Sequence, residues 1–149
     1  MSDKLTITRV IEFDCGHRIY NHKGKCQNPH GHRYRLEATF TGPVNSDIKS
    51  SEYGMIGDFG NLKELLMATI HEKFDHGFLV FQDDEELRQA FSINSKWKII
   101  TTYYNTTVEN MTKWCFDEIS KQLSGQKSKI YLVKLKLFET PNSWAEYSL

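Results

Sequence analysis

The thirteen residues from Lys25 to Glu37, KCQNPHGHRYRLE, decide the reading of this chain. From His30 onward the residues alternate. His30, His32, Tyr34, Leu36, Ala38 and Phe40 share one parity, and Arg33, Arg35, Glu37 and Thr39 take the other. Successive side chains of a strand point to opposite faces. The spacing therefore predicts a strand that sends two imidazoles out on the face its apolar residues bury. Gly42 and Pro43 end it.

Upstream, LTITRVIEFDCGH alternates in the same way. Leu5, Ile7, Ile11, Phe13 and Cys15 share a face, Arg9 is the exception, and His17 is in phase with them. Antiparallel pairing of the two strands would bring His17 beside His30 and His32. Downstream, KIYLVKLKLFET predicts a third strand with Tyr131, Val133, Leu135, Leu137 and Glu139 on one face and Lys134 and Lys136 opposite.

Between these lie two helical patterns. NLKELLMATIHEKF places Leu62, Leu65, Leu66, Ile70 and Phe74 on a stripe, with Asn61 as cap and Glu64 three residues on. TTVENMTKWCFDEISKQLSG predicts a helix capped by Thr106 with Glu109. Its stripe is Val108, Met111, Cys115, Ile119 and Leu123, and Gly125 closes it. WKIITTYY, before the second helix, is a weaker strand candidate. The order predicts an α+β fold, an antiparallel β-sheet with two helices packed on one face, in a single domain over 1–149.

The 149 residues carry 19 basic and 19 acidic side chains. A net charge of zero recommends neither a nucleic-acid nor a membrane surface. No apolar run approaches the ~18 residues of a membrane span, and MSDKLTITRV lacks the apolar core of a signal peptide. Three scattered cysteines suit a reduced, cytoplasmic protein rather than a disulfide framework.

The histidines carry the chemistry. His17, His30 and His32 in phase point to three neutral imidazoles around an open zinc site; the competing reading is a set of hydrogen-bonded turn histidines. Cys26 would be a base or nucleophile favoured as thiolate near the metal, or else a fourth ligand closing the site. Cys15 and Cys115 read as core residues, His22 as a loop residue and His71 as an exposed helix residue. Asp75 and His76 follow the first helix directly, and an Asp beside a His can orient the ring or hold its charged form. Glu139 shares parity with four apolar residues, so its carboxylate points inward. It would be paired with a lysine or arginine, or await a ligand with two adjacent N–H donors, such as a guanine-like or pterin edge.

The segments FDCGHR (13–18), GKCQNPHGHRYRLE (24–37), GMIGDFGNLK (54–63), FDHGFL (74–79), TTVEN (106–110) and FETPNSWAEY (138–147) together resemble the 6-pyruvoyl- and 6-carboxytetrahydropterin synthase family. The resemblance implies the tunnelling fold, whose subunits join their sheets into a barrel, commonly a hexamer with active sites between subunits. It implies zinc on His17, His30 and His32, a catalytic Cys26, a catalytic pair Asp75 and His76, a pterin-anchoring Glu139, and Thr106 and Thr107 beside the pterin ring. The implied substrate is 7,8-dihydroneopterin triphosphate, with zinc as Lewis acid and no redox cofactor. Arg18, Lys23 and Lys25 are candidates for the triphosphate. The tail and the GHRYRLE run look more like the carboxy-forming branch, which feeds 7-deazaguanine synthesis, than the pyruvoyl branch. Two departures stand out: QDDEELRQAFSINSKWKIITTYY (82–104) is longer than in compact members and adds a short helix or lid, and Thr106 stands where a proline is usual.

Overall fold

A computed structural model describes residues 4–149. Strand β1 (Thr6–His17) pairs antiparallel with β2 (His30–Thr41), and β2 with β5 (Tyr131–Thr140). Strand β6 (Ser143–Ser148) returns along β5. On the other side β3 (Gly77–Phe81) and β4 (Ile99–Thr102) extend the sheet, in the order β4-β3-β1-β2-β5-β6. The α+β class stands. The sheet is mixed rather than wholly antiparallel, because β3 runs parallel to β1 and β4 parallel to β3.

The helices cover one face. Helix α1 (Phe59–Leu66) continues through a wide π turn at Met67–His71 into a last turn, α2 (Glu72–Phe74). Its core residues Leu62, Leu66, Ile70 and Phe74 are spaced by four. An ordinary helix repeats every 3.6 residues, so strict fours drift around its surface, and a wide turn restores their alignment. The cap is Asp58, whose carboxylate accepts from the amides of Gly60 and Asn61. Asn61 lies inside the helix. Helix α4 (Val108–Gly125) is capped by Thr107, not Thr106, and ends on Gln126, with Lys127 rather than Gly125 in the left-handed region. Helix α3 (Glu85–Ala90) lies in the 82–104 segment, as a short helix there was expected.

The core forms where Phe13, Tyr34, Leu36, Phe40, Leu135 and Leu137 meet Leu66, Phe74, Met111 and Ile119. Two details of register depart from simple alternation. A bulge opposite Thr39 and Phe40 makes Leu132 the inward residue, leaving Tyr131 exposed and Val133 half-buried. A bulge inserts an extra residue and so flips parity beyond it. Leu5 lies ahead of β1 and is exposed.

Candidate metal centre and active site

The β1–β2 register sets His17, the last residue of β1, opposite His30, the first of β2, and Cys15 opposite His32. All three imidazoles leave on the helix-covered face, with ring centroids 4.7–5.1 Å apart. One ring nitrogen from each falls within 4.8 Å of the other two.

The hydrogen bonds fix which nitrogens these are. Nδ1 of His17 donates to the main-chain oxygen of Thr106 at 2.7 Å, and Nδ1 of His30 to that of Asn28 at 2.6 Å. A neutral imidazole that donates from Nδ1 keeps a lone pair on Nε2. Nε2 of His17, His30 and His32 are all buried and without a hydrogen-bond partner. Such orphans are costly in a native interior.

Burial favours the neutral form of His17 and His32. His17 is fully buried, and its desolvation lowers its pKa to about 4, against a raising effect from the Thr106 carbonyl. Burial also lowers that of His32. Glu139 faces the cluster, its carboxylate oxygens 3.8 Å from Nε2 of His17 and 3.5 Å from Nε2 of His32. These are not ordinary ion pairs: burial raises the Glu139 pKa despite the opposing effect of His30. An imidazole lone pair and a carboxylate turned toward each other both lack a positive partner. The three histidines thus fit a cation, and a borderline-soft divalent ion suits an all-imidazole set. Among the described residues no lysine or arginine pairs with Glu139.

The site has a positioning layer that periodicity did not reveal. The Thr106 hydroxyl donates to the carbonyl of Arg18 at 2.9 Å, so this buried threonine ties the start of α4 to the end of β1 while its own carbonyl orients His17. Thr107 spends its hydroxyl accepting from the Asn110 amide. Tyr34 forms the floor beneath His32, ring centroids 5.6 Å apart. Arg18, a candidate for triphosphate, forms a two-pronged pair with the buried Asp84 carboxylate, which also caps α3. Lys23 and Lys25 are exposed.

Cys26 is a free, half-buried thiol in a 3-10 turn at Lys25–Gln27, within the loop that joins the metal-binding ends of β1 and β2. The amide of Ile19 donates to its carbonyl at 2.8 Å and holds the loop closed. Cys15 and Cys115 are buried, as expected of core residues.

Asp75 and His76 sit in the turn between α2 and β3. Nδ1 of His76 donates to Oδ2 of Asp75 at 2.7 Å, and the Asp14 amide donates to Oδ1 at 3.0 Å. His76 has φ +60°, a left-handed conformation that costs a non-glycine residue energy and recurs at functional sites. Lys98 holds the turn from outside, its ammonium donating to the carbonyls of Glu72 and Asp75 at 2.7 Å each. The His76 ring borders a depression of about 380 Å³, where Gly16 and Gly31 face each other across β1 and β2. A Cβ at Gly16 would come within 2.5 Å of the Phe78 ring. No hydrogen bond or ion pair among the described residues joins Cys26 to Asp75 or His76.

A sheet that converges three imidazoles beside a half-buried carboxylate defines an α+β protein with a site that could hold a cation. Comparison with known proteins narrows that class. The chain belongs to the 6-pyruvoyl tetrahydropterin synthase family, whose model matches residues 6–149. It is 41% identical over 139 residues to the 6-carboxy-5,6,7,8-tetrahydropterin synthase of Rickettsia bellii, covering 93% of this chain and 96% of that one. It is 31% identical over 157 residues to the 6-pyruvoyl tetrahydrobiopterin synthase of Dictyostelium discoideum, covering 99% and 98%. The solved 6-pyruvoyl tetrahydropterin synthase of Caenorhabditis elegans superposes with a TM-score of 0.69 at 26% identity, over 99% of this chain and 96% of that one.

Proposed function

We propose that the protein is a zinc-dependent 6-carboxy-5,6,7,8-tetrahydropterin synthase. It converts 7,8-dihydroneopterin triphosphate to 6-carboxytetrahydropterin, acetaldehyde and triphosphate for 7-deazaguanine (queuosine-type) synthesis in the cytoplasm. The observation that carries this is the convergence of three partnerless Nε2 atoms on His17, His30 and His32 in a member of this family. The greater identity to the Rickettsia carboxy-forming relative favours that product over the pyruvoyl one.

His17, His30 and His32 hold the zinc. Bound there, zinc supplies Lewis acidity that makes neighbouring C–H and O–H groups of the substrate easier to deprotonate. Glu139 takes the pterin edge, accepting from its two adjacent N–H groups as a fork. Thr106 and Thr107 lie at the start of α4 beside that ring, and Thr106 also fixes His17. Cys26, as thiolate, removes a proton from the substrate side chain. His76 relays a proton, and Asp75 stabilises its charged form; burial raises the pKa of Asp75, but bonds from Asp14 and His76 and the charge of His71 outweigh this and lower it overall. Lys23 and Lys25 remain candidates for the triphosphate, whereas Arg18 is already engaged by Asp84.

Within one chain Cys26 and the Asp75–His76 pair share no bond. Membership of the family supports a homo-oligomer, a hexamer built by joining sheets, in which a neighbouring copy completes each site. Each subunit acts as a single domain.

Incubation of the zinc-loaded protein with 7,8-dihydroneopterin triphosphate, with pterin and aldehyde identified by mass spectrometry, is expected to give 6-carboxytetrahydropterin and acetaldehyde in equal amounts. A 6-pyruvoyl product without acetaldehyde would assign the chain to the pyruvoyl reaction instead.

A further inference from the structure

We propose that His71 is a positioning residue that shares the Asp75 carboxylate with His76 and sets the acidity of the His76 ring. The proposal rests on the reading of Asp75 and His76 as the catalytic pair. It stands on three observations. Nε2 of His71 lies 3.7 Å from Oδ2 of Asp75, the same oxygen that accepts from His76. Nδ1 of His71 is buried and has no partner, so a neutral ring keeps its proton on Nε2, toward the carboxylate. The wide π turn ends at His71, and such turns gather at functional sites. The Asp75 amide donates to the His71 carbonyl at 2.9 Å, which fixes the spacing of the two side chains. A residue read from the sequence as an exposed helix position is instead half-buried and turned onto the carboxylate.

The consequence has a definite sign. At 3.7 Å His71 is beyond hydrogen-bond reach of Oδ2, and it acts on that oxygen through its field, most strongly when protonated. A carboxylate flanked by a second imidazole stabilises the charged form of the first less than it would alone. Removing His71 is therefore expected to leave the Asp75 carboxylate to His76 alone and to strengthen the hold of that ring on its proton. The other charged groups facing the turn are Lys98 on its outer side, and Asp14 of β1 with its partner Arg33 of β2, joined at 3.0 Å. The Cys15 thiol of β1, pushed up to about 12 by burial, and His32 of β2 border the same depression as His76, and Glu72 lies in the turn beside Lys98. None of these changes when His71 is replaced.

Site-resolved exchange of histidine C2 hydrogens, read by mass spectrometry across pH on the zinc-loaded protein, reports the pKa of His76 directly. In His71→Phe and His71→Leu, melting temperature shows each variant to be folded, and the pKa of His76 is expected to rise by about half a unit or more. Extra burial by an apolar side chain would lower it, so the sign separates the two effects. His71→Gln, which retains an N–H donor, is expected to give back most of the shift. In an Asp75→Asn background His71→Phe is expected to move nothing. An unchanged His76 pKa in both apolar variants overturns the proposal. A shifted pKa with an unshifted pH profile of turnover leaves the role of His71 intact but removes His76 from the chemistry.

Discussion

The ring of His17 is fastened to the main chain of Thr106: Nδ1 donates to the carbonyl at 2.7 Å, across 89 positions of sequence. That bond joins the end of β1 to the start of α4, and it decides which nitrogen of His17 is free. Second-shell partners of this kind commonly change metal affinity 10–100-fold when lost.

Removing one imidazole tests the centre itself. His30→Ala, at a half-buried position, is expected to weaken zinc binding by at least ~100-fold while leaving the helices folded, measured by competition with a chromophoric chelator and by circular dichroism. Stripping zinc from the wild type is expected to lower the melting temperature by roughly 5–10 °C, because a ligand at 100 times its Kd contributes about 2.7 kcal/mol. Undiminished zinc stoichiometry in His30→Ala would refute the three-histidine assignment.

The buried His17 gives the metal-free protein a defined pH response. Its folded pKa is about 4, below the ordinary value of 6.5, so between those values the unfolded chain binds a proton that the folded chain refuses. Stability is therefore full above pH 6.5 and declines as the pH falls toward 4, by up to roughly 3 kcal/mol from this group. Urea unfolding at pH 7.5, 5.5 and 4.5 checks the slope. Replacing His17 with Gln should flatten it, and an unchanged slope would place the titration elsewhere.

Cys26→Ala separates chemistry from metal binding. Turnover is expected to fall by about a thousandfold or more, the scale of losing a positioned base or nucleophile, with zinc content unchanged. Metal analysis and the product assay on the same preparation make the comparison. Loss of zinc along with activity would make Cys26 a ligand rather than a base.

Arg18 and Asp84 bind the inserted segment to the end of β1 that carries His17. The Asp84 carboxylate is almost wholly buried, caps α3 through the Leu87 amide, and is held well below the usual carboxylate range chiefly by its bond from the Arg18 guanidinium. Asp84→Ala leaves that guanidinium only the exposed Glu86, at 3.8 Å, and leaves α3 uncapped, and is expected to cost about 3 kcal/mol in urea unfolding. Asp84→Asn keeps the cap and should cost less. Equal losses would mean that the charge contributes nothing.

Much of this was legible because two-residue periodicity is a strong signal where one sheet face is buried. His17, His30, His32 and Glu139 were placed inward by parity, and the β1–β2 register does set His17 against His30. Parity failed at Tyr131 and Val133, since a bulge leaves no trace in a run of apolar and basic residues. Strand β6 was missed because most of its residues are exposed and it is held mainly by pairing to β5. Strands β3 and β4, of five and four residues, are short and parallel, so nothing in GFLVF or IITT fixes their direction. The carbonyl of Thr106 and the contact between His71 and Asp75 were invisible for another reason. One depends on main-chain atoms, the other on a wide helical turn, and neither is written in side-chain pattern, although the strict fours of Leu62, Leu66, Ile70 and Phe74 hinted at the turn.

Only two residue pairs, Cys15 with Gly77 and Gly16 with Phe78, join β3 to β1, whereas β1 and β2 match along their whole length. The sheet is consequently two panels, β6-β5-β2-β1 and β3-β4, meeting at a narrow seam. One panel bears the three imidazoles, and the other begins at the strained histidine. A small rotation along that seam would change the distance between His76 and the three imidazoles without disturbing the pairing of β1 with β2 or of β3 with β4.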